Sequence, residues 1–493
     1  MSDPPSARER EYDSIASFFD RFAVEEDRWM EQMGGFRATH ATLRGIATSF
    51  VPKGQRVLEI GCGRGDLLAA LRPSFGVGVD VSEGMIEAAW QRHPDLRFVR
   101  AAGEELDLGE TFDYVVLCDL VPYVYDLQAL FVAVVRHCHP RTRVLVSTYS
   151  NAWRPLLSVA ARLGLRPRRP VRNWVAPRDL ANLAELAGLE VVLERKEVLL
   201  PTRSPFLSRV LNGLLAHMPG LRSLDLSHWL VARPAPAAAH AWGVSVIVPC
   251  RNEAGSIAEI VERVPEMGRE TELVFVENGS TDDTRSRIEE QIATADRDIT
   301  LVVREAPGKW NAVQAGFAAA RHEVLMILDA DLTVAPEDLP KFYEALATGR
   351  GELINGSRLV YGMETGAMRF LNLFGNKFFA GVMSTVLGQY VKDTLCGTKV
   401  LLREDWERMY QLGSHPGPHD PFGDYHLLVG AAQLGLKVLN VPVRYGARTY
   451  GTSNMQRFSY GGTLTRLALA GYRRLWVEPV SPSRAPRQTG RSS

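Results

Sequence analysis

A chain of 493 residues exceeds what one ordinary hydrophobic core supports, so two large domains are expected. Its 57 basic and 57 acidic residues cancel, which leaves none of the net positive field of a dedicated nucleic-acid binder. Cys62, Cys118, Cys138, Cys250 and Cys396 are scattered without CxxC spacing, which argues against a disulfide framework and a structural zinc site and fits a reducing cytoplasm.

The N-terminus, MSDPPSARER, lacks the apolar core of a secretory signal, and no segment reaches about 18 uninterrupted apolar residues. A helical stretch, YDSIASFFDRF, lies within residues 1–50. An apolar strand over 56–60 then runs into Gly61, Gly63 and Gly65, and a helix follows at once. Glycines there let a backbone approach a ligand closely, and the helix N-terminus offers free N–H groups. A second short strand, GVGVD, ends at Asp80, about 20 residues on, where a carboxylate can accept both hydroxyls of a ribose. Such a glycine pattern also serves dinucleotides. Glu59, two residues before Gly61, sharpens the reading toward an adenosine-containing cofactor.

LEIGCGRG resembles the first motif of the class I S-adenosylmethionine-dependent methyltransferases. FDYVVLCDLVPYV is similar to their fourth-strand motif, RVLVSTYS to the fifth strand, and VAPRDLANLAELAGLEVV to the late helix and strand, so the likeness covers roughly residues 10–235. The resemblance implies a Rossmann-like domain that binds S-adenosyl-L-methionine. Gly61 and Gly63 would lie under its methionine part, with Asp80 on the ribose and Asp119 facing the reaction site. Ala102 stands where that family often carries an Asp near the adenine amino group, which leaves adenine to backbone groups or Glu104. A degenerate methyltransferase scaffold stays open as an alternative. The pair His137 and His139 reads as a surface loop.

The stretch ARPAPAAAHA reads as an interdomain linker, set at 232–242, between a first domain over 1–231 and a second over 243–478. Residues 479–493 have the composition of a disordered tail. The second half opens with VSVIVPCRNEAGSI and ELVFVENGSTDDT, apolar strands that end in polar turns, and continues to MILDADLT. Strands of a parallel sheet deliver functional groups at their carboxyl ends, so three successive ends, near Pro249, Glu277 and Asp329, share one rim. Asp329 and Asp331 project to the same side. Two carboxylates held together repel unless a cation joins them, and Mg²⁺ or Mn²⁺ completed by diphosphate oxygens resolves that conflict.

These segments, with APGKWNAVQAGFAAA, LINGSRLVYGM and VKDTLCGTKVLLRE, resemble family-2 glycosyltransferases of the GT-A fold over about 243–455, most of all those that glycosylate dolichyl or other polyprenyl phosphates. By that resemblance Pro249, Glu253 and Glu277 would contact the nucleotide, with Asp282 supporting their loop. Asp329 and Asp331 would hold ribose and metal. Lys309, Ser357 and Arg358 would lie near the donor phosphates or acceptor, Asp393 in the acceptor loop, and Arg448 against the leaving group. Trp310 departs from the small residue usual after the Gly-Lys pair, and VENGS has Glu277 and Asn278 where an Asp pair is frequent. Asp424 and His426 stand at the Asp and Glu of an FDxE motif. An ionised lipid phosphate attacks without help, whereas a sugar hydroxyl needs a base, for which Asp393 and, in SHPGPHDPFGDYHLL, His419, Asp420, Asp424 and His426 are candidates.

The expectation is therefore an α/β fusion of a class I methyltransferase and an inverting, metal-dependent GT-A glycosyltransferase. A nucleotide-sugar is its donor, a polyprenyl phosphate or glycoconjugate its acceptor, and nucleic acid no partner. The amphipathic stretch 369–391 favours a lipid-linked acceptor and a cytoplasmic protein peripheral to the inner membrane face. Two alternatives are a methyltransferase with a non-catalytic nucleotide-sugar-binding domain, and a glycosyltransferase acting on a sugar hydroxyl with a degenerate methyltransferase scaffold.

Overall fold

The computed structural model describes residues 7–32, 34–150, 153–164, 170, 173, 175–197, 210–212, 225–236, 239–305, 308–358, 370–412, 423–443, 445–446 and 459–480. The chain divides into two compact units, Met1–Ala235 with Arg473–Ser493, and Pro236–Tyr472.

The first unit begins with two helices, Ala7–Gln32 and Gly34–Phe50. Its strands are β1 (Arg56–Ile60), β2 (Phe75–Asp80), β3 (Arg97–Arg100), β4 (Phe112–Leu117), β5 (Cys138–Tyr149), β6 (Leu189–Glu197) and β7 (Ser227–Pro234). They form one sheet in the order β3-β2-β1-β4-β5-β7-β6, in which β7 runs antiparallel to both neighbours. The apolar runs are continuous because both faces are covered. Val57, Tyr114, Val116 and Leu145 point to one core with Ile46 and Leu68, whereas Leu58, Val115, Leu117 and Val144 point to another with Leu130 and Leu180.

Two expected boundaries shift. Ala232, Arg233 and Pro234 of the Pro/Ala stretch are strand residues of β7, because they pair with Val191, Glu190 and Leu189 of β6, and Arg233 also meets Glu190 at 2.7 Å. The segment from Arg473 joins the first unit. Buried Arg195 donates to the Leu475 carbonyl and lies 4.2 Å from the Trp476 ring centroid, so a cation–π contact and a hydrogen bond hold it there. Residues 481–493, most of the expected tail, lie outside the described residues.

The second unit has β8 (Val244–Cys250), β9 (Thr271–Asn278), β10 (Ile299–Arg304), β11 (Val324–Ile327), β12 (Leu353–Ser357), β13 (Lys399–Leu402) and β14 (Val438–Pro442). Their order is β10-β9-β8-β11-β13-β12-β14, and β13 alone is antiparallel to its neighbours. Val246, Val248, Phe275 and Met326 pack with Ile257, Ile260 and Phe342 on one face. On the other, the helix Lys309–Ala319 lies so close at Gly316 that a Cβ there would collide with Ile247. The stretch read as amphipathic is largely the helix Phe370–Leu387, whose Asn376, Ala380, Met383 and Val386 are buried and whose Phe378 is exposed.

Candidate active sites, one in each unit

In the first unit the strand-to-helix turn after β1 is built from left-handed residues, Gly61 at φ 76°, Gly63 at φ 50° and Gly65 at φ 77°, conformations costly for any residue with a Cβ. The turn borders a cavity of about 200 Å³ at the carboxyl ends of β1, β2 and β4. Glu59, Gly61, Gly63, Asp80, Glu104 and Asp119 all line it. A Cβ on Gly63 would meet nothing closer than Met85 Sδ at 4.0 Å, so open space adjoins that backbone.

Asp80 accepts from the Gly63 amide at 2.9 Å and the Ser82 amide at 3.0 Å. Burial pushes its carboxyl up despite those bonds, with Asp20 adding to the rise. Burial also pushes Glu59 well above the usual carboxylate range, and Asp80 and Asp66 push it the same way. Glu59 Oε2 is buried and lacks a hydrogen-bond partner. Glu104 is turned partly away, its Oε1 accepting from the amides of Tyr125 (3.1 Å) and Asp126 (3.3 Å). Asp119 holds a left-handed φ of 58° while its amide donates to Ser147 Oγ. An outlier of this kind at a cavity wall is the strain typical of functional sites.

Sequence reasoning missed Asp20. From the helix Ala7–Gln32 its Oδ1 accepts from Ser82 Oγ (2.5 Å) and the Gly84 amide (3.0 Å), so the N-terminal helix is pinned beside Asp80. Phe19 and Phe22 of the same helix line the cavity, and Phe19 meets Tyr123 edge-on at 5.1 Å. His137 is not on a loop surface. It is buried, with Nε2 accepting from the Leu108 amide and Nδ1 2.8 Å from the Ala133 carbonyl.

In the second unit the turns after β8 and β9 are stitched together. Asn252, at φ 58°, accepts at Oδ1 from the Thr281 amide, and its own amide donates to Ser280 Oγ. Glu277 Oε1 accepts from the Ser280 amide, Asp282 Oδ2 from the Ala254 amide, and the Glu253 amide donates to Thr284 Oγ1. Pro249 is part-buried at the end of the same β8.

Beyond β11 the acids and bases alternate. Lys309 Nζ pairs with Asp329 Oδ1. Lys399, fully buried on β13, places Nζ 2.7 Å from Asp424 Oδ1 and donates to the Cys396 carbonyl. Arg358 makes a fork on Asp393, Nε to Oδ2 at 2.8 Å and Nη2 to Oδ1 at 3.0 Å, and Asn376 adds a third donor at 2.9 Å. Asp331 Oδ1 accepts from Thr333 Oγ1 at 2.8 Å. Ser357, beside Arg358, is buried with no partner for its hydroxyl.

Charge pairing sets the electrostatics here. Burial works against ionisation of Asp329, but Lys309, with Arg358 and Lys399 behind it, holds the carboxyl below the usual range. Burial likewise opposes the Lys309 ammonium, which Asp329, Asp424 and Asp331 nevertheless hold above its ordinary value. For Asp393 burial is outweighed by the Arg358 guanidinium, and the carboxyl falls to about 2. A Cβ on Gly397 would collide with Asp329 Oδ2 and lie 2.7 Å from Lys309 Nζ, so the chain there closes directly over the pair.

Two departures from the family pattern meet each other. The Trp310 indole and His426 imidazole stack at 5.3 Å with 26° between planes, and Trp406 abuts Trp310 edge-on at 5.5 Å. Gly423, at φ 80°, leaves room for the indole, since a Cβ there would strike it. Lys399 and Asn376 were not anticipated, although a lone cation in the apolar run TKVLL is a readable signal. Arg448, His419 and Asp420 lie outside the described residues.

Among the described residues a cluster of three potential metal ligands, Glu272, Asp298 and His322, lies elsewhere, near the amino ends of β9 and β10. Arg321 bridges its carboxylates, with Nε 2.7 Å from Glu272 Oε2, so it is a structural ion network.

Two α/β units, each presenting a polar cradle at the carboxyl ends of its strands, define a protein with two ligand-binding domains of the doubly wound kind. Residues 29–194 match the family described as methyltransferase domain, and residues 245–408 match glycosyl transferase family 2. The glycosyltransferase AglJ of Haloferax volcanii is 30% identical over 226 residues, 45% of this chain and 69% of that protein. The chain thus belongs to glycosyl transferase family 2, with a methyltransferase domain preceding the family's own. The undecaprenyl-phosphate 4-deoxy-4-formamido-L-arabinose transferase of Pseudomonas aeruginosa strain LESB58 is 34% identical over 114 residues, 22% of this chain and a third (33%) of that protein. Among solved structures, glucosyl-3-phosphoglycerate synthase of Mycobacterium tuberculosis, in complex with Mn²⁺, UDP and glucosyl-3-phosphoglycerate, aligns at 22% identity and a TM-score of 0.35 over 48% of this chain and 80% of its own. The complex between the Haloferax volcanii Trm112 methyltransferase activator and its putative methyltransferase aligns at 19% identity and a TM-score of 0.33, over 44% of this chain and 97% of that one.

Proposed function

We propose that the second unit transfers a sugar from a nucleotide-sugar to an ionised phosphate acceptor of the polyprenyl type, and that the first unit transfers a methyl group from S-adenosyl-L-methionine. The observation that carries the acceptor class is the state of the two carboxylates that are candidate bases among the described residues, Asp393 and Asp424. Asp393 is locked by Arg358 at about 2, and Asp424 lies against buried Lys399. A carboxylate with so low a pKa is a poor acceptor for a hydroxyl proton, whereas a phosphate monoester needs no deprotonation. Relatives named for undecaprenyl-phosphate transfer agree with this reading.

The stitched turns after β8 and β9, with Pro249, Glu253, Glu277 and Asp282, orient the nucleotide. Asp329 and Asp331 fit a hard divalent ion such as Mg²⁺ or Mn²⁺, because both offer carboxylate oxygens at one strand end, with no His or Cys among the donors. Such an ion supplies Lewis-acid neutralisation of the leaving diphosphate. Lys309, paired with Asp329, is placed to move onto a donor phosphate once the carboxylate is otherwise engaged. Ser357 supplies an unspent hydroxyl, and the Arg358–Asp393 pair fixes the acceptor loop. Arg448 remains the candidate partner for the leaving group.

In the first unit the orphaned Glu59 Oε2 fits an ammonium donor, and the open face of Gly63 fits a ligand passing against the backbone, as the methionine end of S-adenosylmethionine requires. Asp80 is placed for the ribose, while Glu104 and Asp119 bound the adenine and acceptor ends. Such a cofactor supplies an electrophilic methyl group. The chain's part is alignment of acceptor and methyl carbon.

The test is turnover of UDP-, GDP- and CDP-sugars with Mg²⁺ or Mn²⁺, comparing the parent protein with Asp331→Ala, alongside calorimetric titration with S-adenosylmethionine. Metal-dependent turnover lost in the variant supports the transferase reading. Binding of a nucleotide-sugar without turnover makes the second unit a binding module, and absence of S-adenosylmethionine binding makes the first a scaffold.

A further inference from the structure

The connection after β5 carries an apolar stripe that the first unit leaves unused. It includes the helix Arg154–Arg162. Trp153 and Leu157 there pack against the core, while Leu156, Val159 and Leu163 are 57%, 48% and 69% exposed. The exposed residues fall at i, i+3 and i+7, a single helical face. Scattered exposed apolar residues are ordinary, but a stripe in register calls for a cover.

Charge indicates what covers it. From 151 to 174 the sequence holds six arginines, Arg154, Arg162, Arg166, Arg168, Arg169 and Arg172, and no acidic residue. The connection after β6, residues 198–224, holds Arg203, Arg209 and Arg222 and again no acid. Strands β5 and β6 both run antiparallel to β7 and therefore parallel to each other. Both basic connections thus leave from the rim at which the cavity opens, since β4 and β5 are parallel. An apolar stripe flanked only by arginine is the composition of a helix that lies in a bilayer interface, with its stripe among acyl chains and its cations on anionic headgroups. Among the described residues no helix is long and apolar enough to cross a membrane, so the contact is one of lying on the surface.

We propose that the first unit docks on an anionic phospholipid surface through the helix Arg154–Arg162 and Leu163. Leu156, Val159 and Leu163 enter the acyl boundary, and the neighbouring arginines engage lipid phosphates.

The full chain is sedimented with vesicles of phosphatidylcholine alone and of phosphatidylcholine mixed with phosphatidylglycerol. No sugar nucleotide or S-adenosylmethionine is present, so the result is independent of both transfer reactions. The parent protein is expected to partition onto the mixed vesicles, less so as salt rises, and L156E/L163E to lose about tenfold or more of that partition. Ile292→Glu, an exposed change on the helix Thr284–Thr294 of the second unit, leaves it unaltered. Hydrogen exchange on the parent protein localises the contact without any variant, and amides of 154–163 are expected to slow on mixed vesicles. No partition, equal partition on neutral vesicles, undiminished binding by a folded L156E/L163E protein, or unchanged exchange at 154–163 each overturns the proposal. Binding of a protein partner through the same stripe, without vesicle binding, also overturns it.

Discussion

Replacing Asp393 by Asn tests the electrostatic heart of the second unit. Asp393 is buried and receives the guanidinium fork of Arg358, the Asn376 amide and the backbone amides of Arg358 and Leu395. Its carboxyl falls to about 2 from an ordinary 3.8, after burial has pushed the other way. Because the folded value is depressed, the group stabilises the fold above its unfolded pKa, and that contribution fades as pH falls through about 2. At roughly 1.4 kcal/mol per pKa unit, the shift is worth about 2–3 kcal/mol at neutral pH. Asn removes the charge and leaves Arg358 buried without it, so the cost rises to about 3–5 kcal/mol. The assay is native-state hydrogen exchange read over 353–358 and 391–400, because local opening reports this site without assuming two-state behaviour of a two-unit chain. Exchange there is predicted to quicken by roughly two to four powers of ten. Adding Arg358→Met to Asp393→Asn recovers part of the loss, since the stranded cation is gone. Exchange within about threefold of the parent protein would refute the reasoning, as it corresponds to less than about 1 kcal/mol.

Further outcomes follow from the same geometry. Gly397→Ala drives a methyl group into the Asp329–Lys309 pair and is expected to lower donor turnover about 100-fold with little change in melting temperature, checked by coupled diphosphate release. Trp310→Ala empties the space between His426 and Trp406, costs about 3–5 kcal/mol in denaturant titration, and widens the range of donor sugars accepted in a competition assay. Glu59, whose carboxyl is raised by burial, destabilises the cofactor-free unit as pH climbs above the unfolded value. Glu59→Gln should therefore raise the melting temperature most at alkaline pH while weakening S-adenosylmethionine at least about tenfold by calorimetry. Asp20→Ala removes the acceptor for Ser82 and Gly84 and is expected to cost about 1 kcal/mol and to loosen cofactor binding several-fold by the same method.

The sequence announced each sheet through local features: glycine turns, apolar runs buried on both faces, and acids at strand ends. These depend on neighbours a few residues apart. Every residue expected at the cofactor site does line one cavity, because a single turn and two strand ends define it. What stayed hidden needed long-range contact. Lys399 and Asp424 meet across a strand and a helix, Trp310 and His426 stack from helices far apart in the chain, and Arg358 turns to Asp393. The C-terminal stretch from Arg473 joins the first unit through Arg195, a partner nearly three hundred positions away that no local pattern reveals.

The most direct test of the acceptor class offers the protein its best nucleotide-sugar and metal with a polyprenyl phosphate and, separately, the polyprenyl alcohol of the same chain length, with products read by mass spectrometry. A sugar–phosphate–lipid product from the phosphate alone, at a rate flat between about pH 7.5 and 9, above the second ionisation of a phosphate monoester at about 6, is the result predicted for an acceptor that needs no base. Glycosylation of the alcohol, with a rate that rises through a single ionisation and is lost in Asp424→Asn, would contradict it.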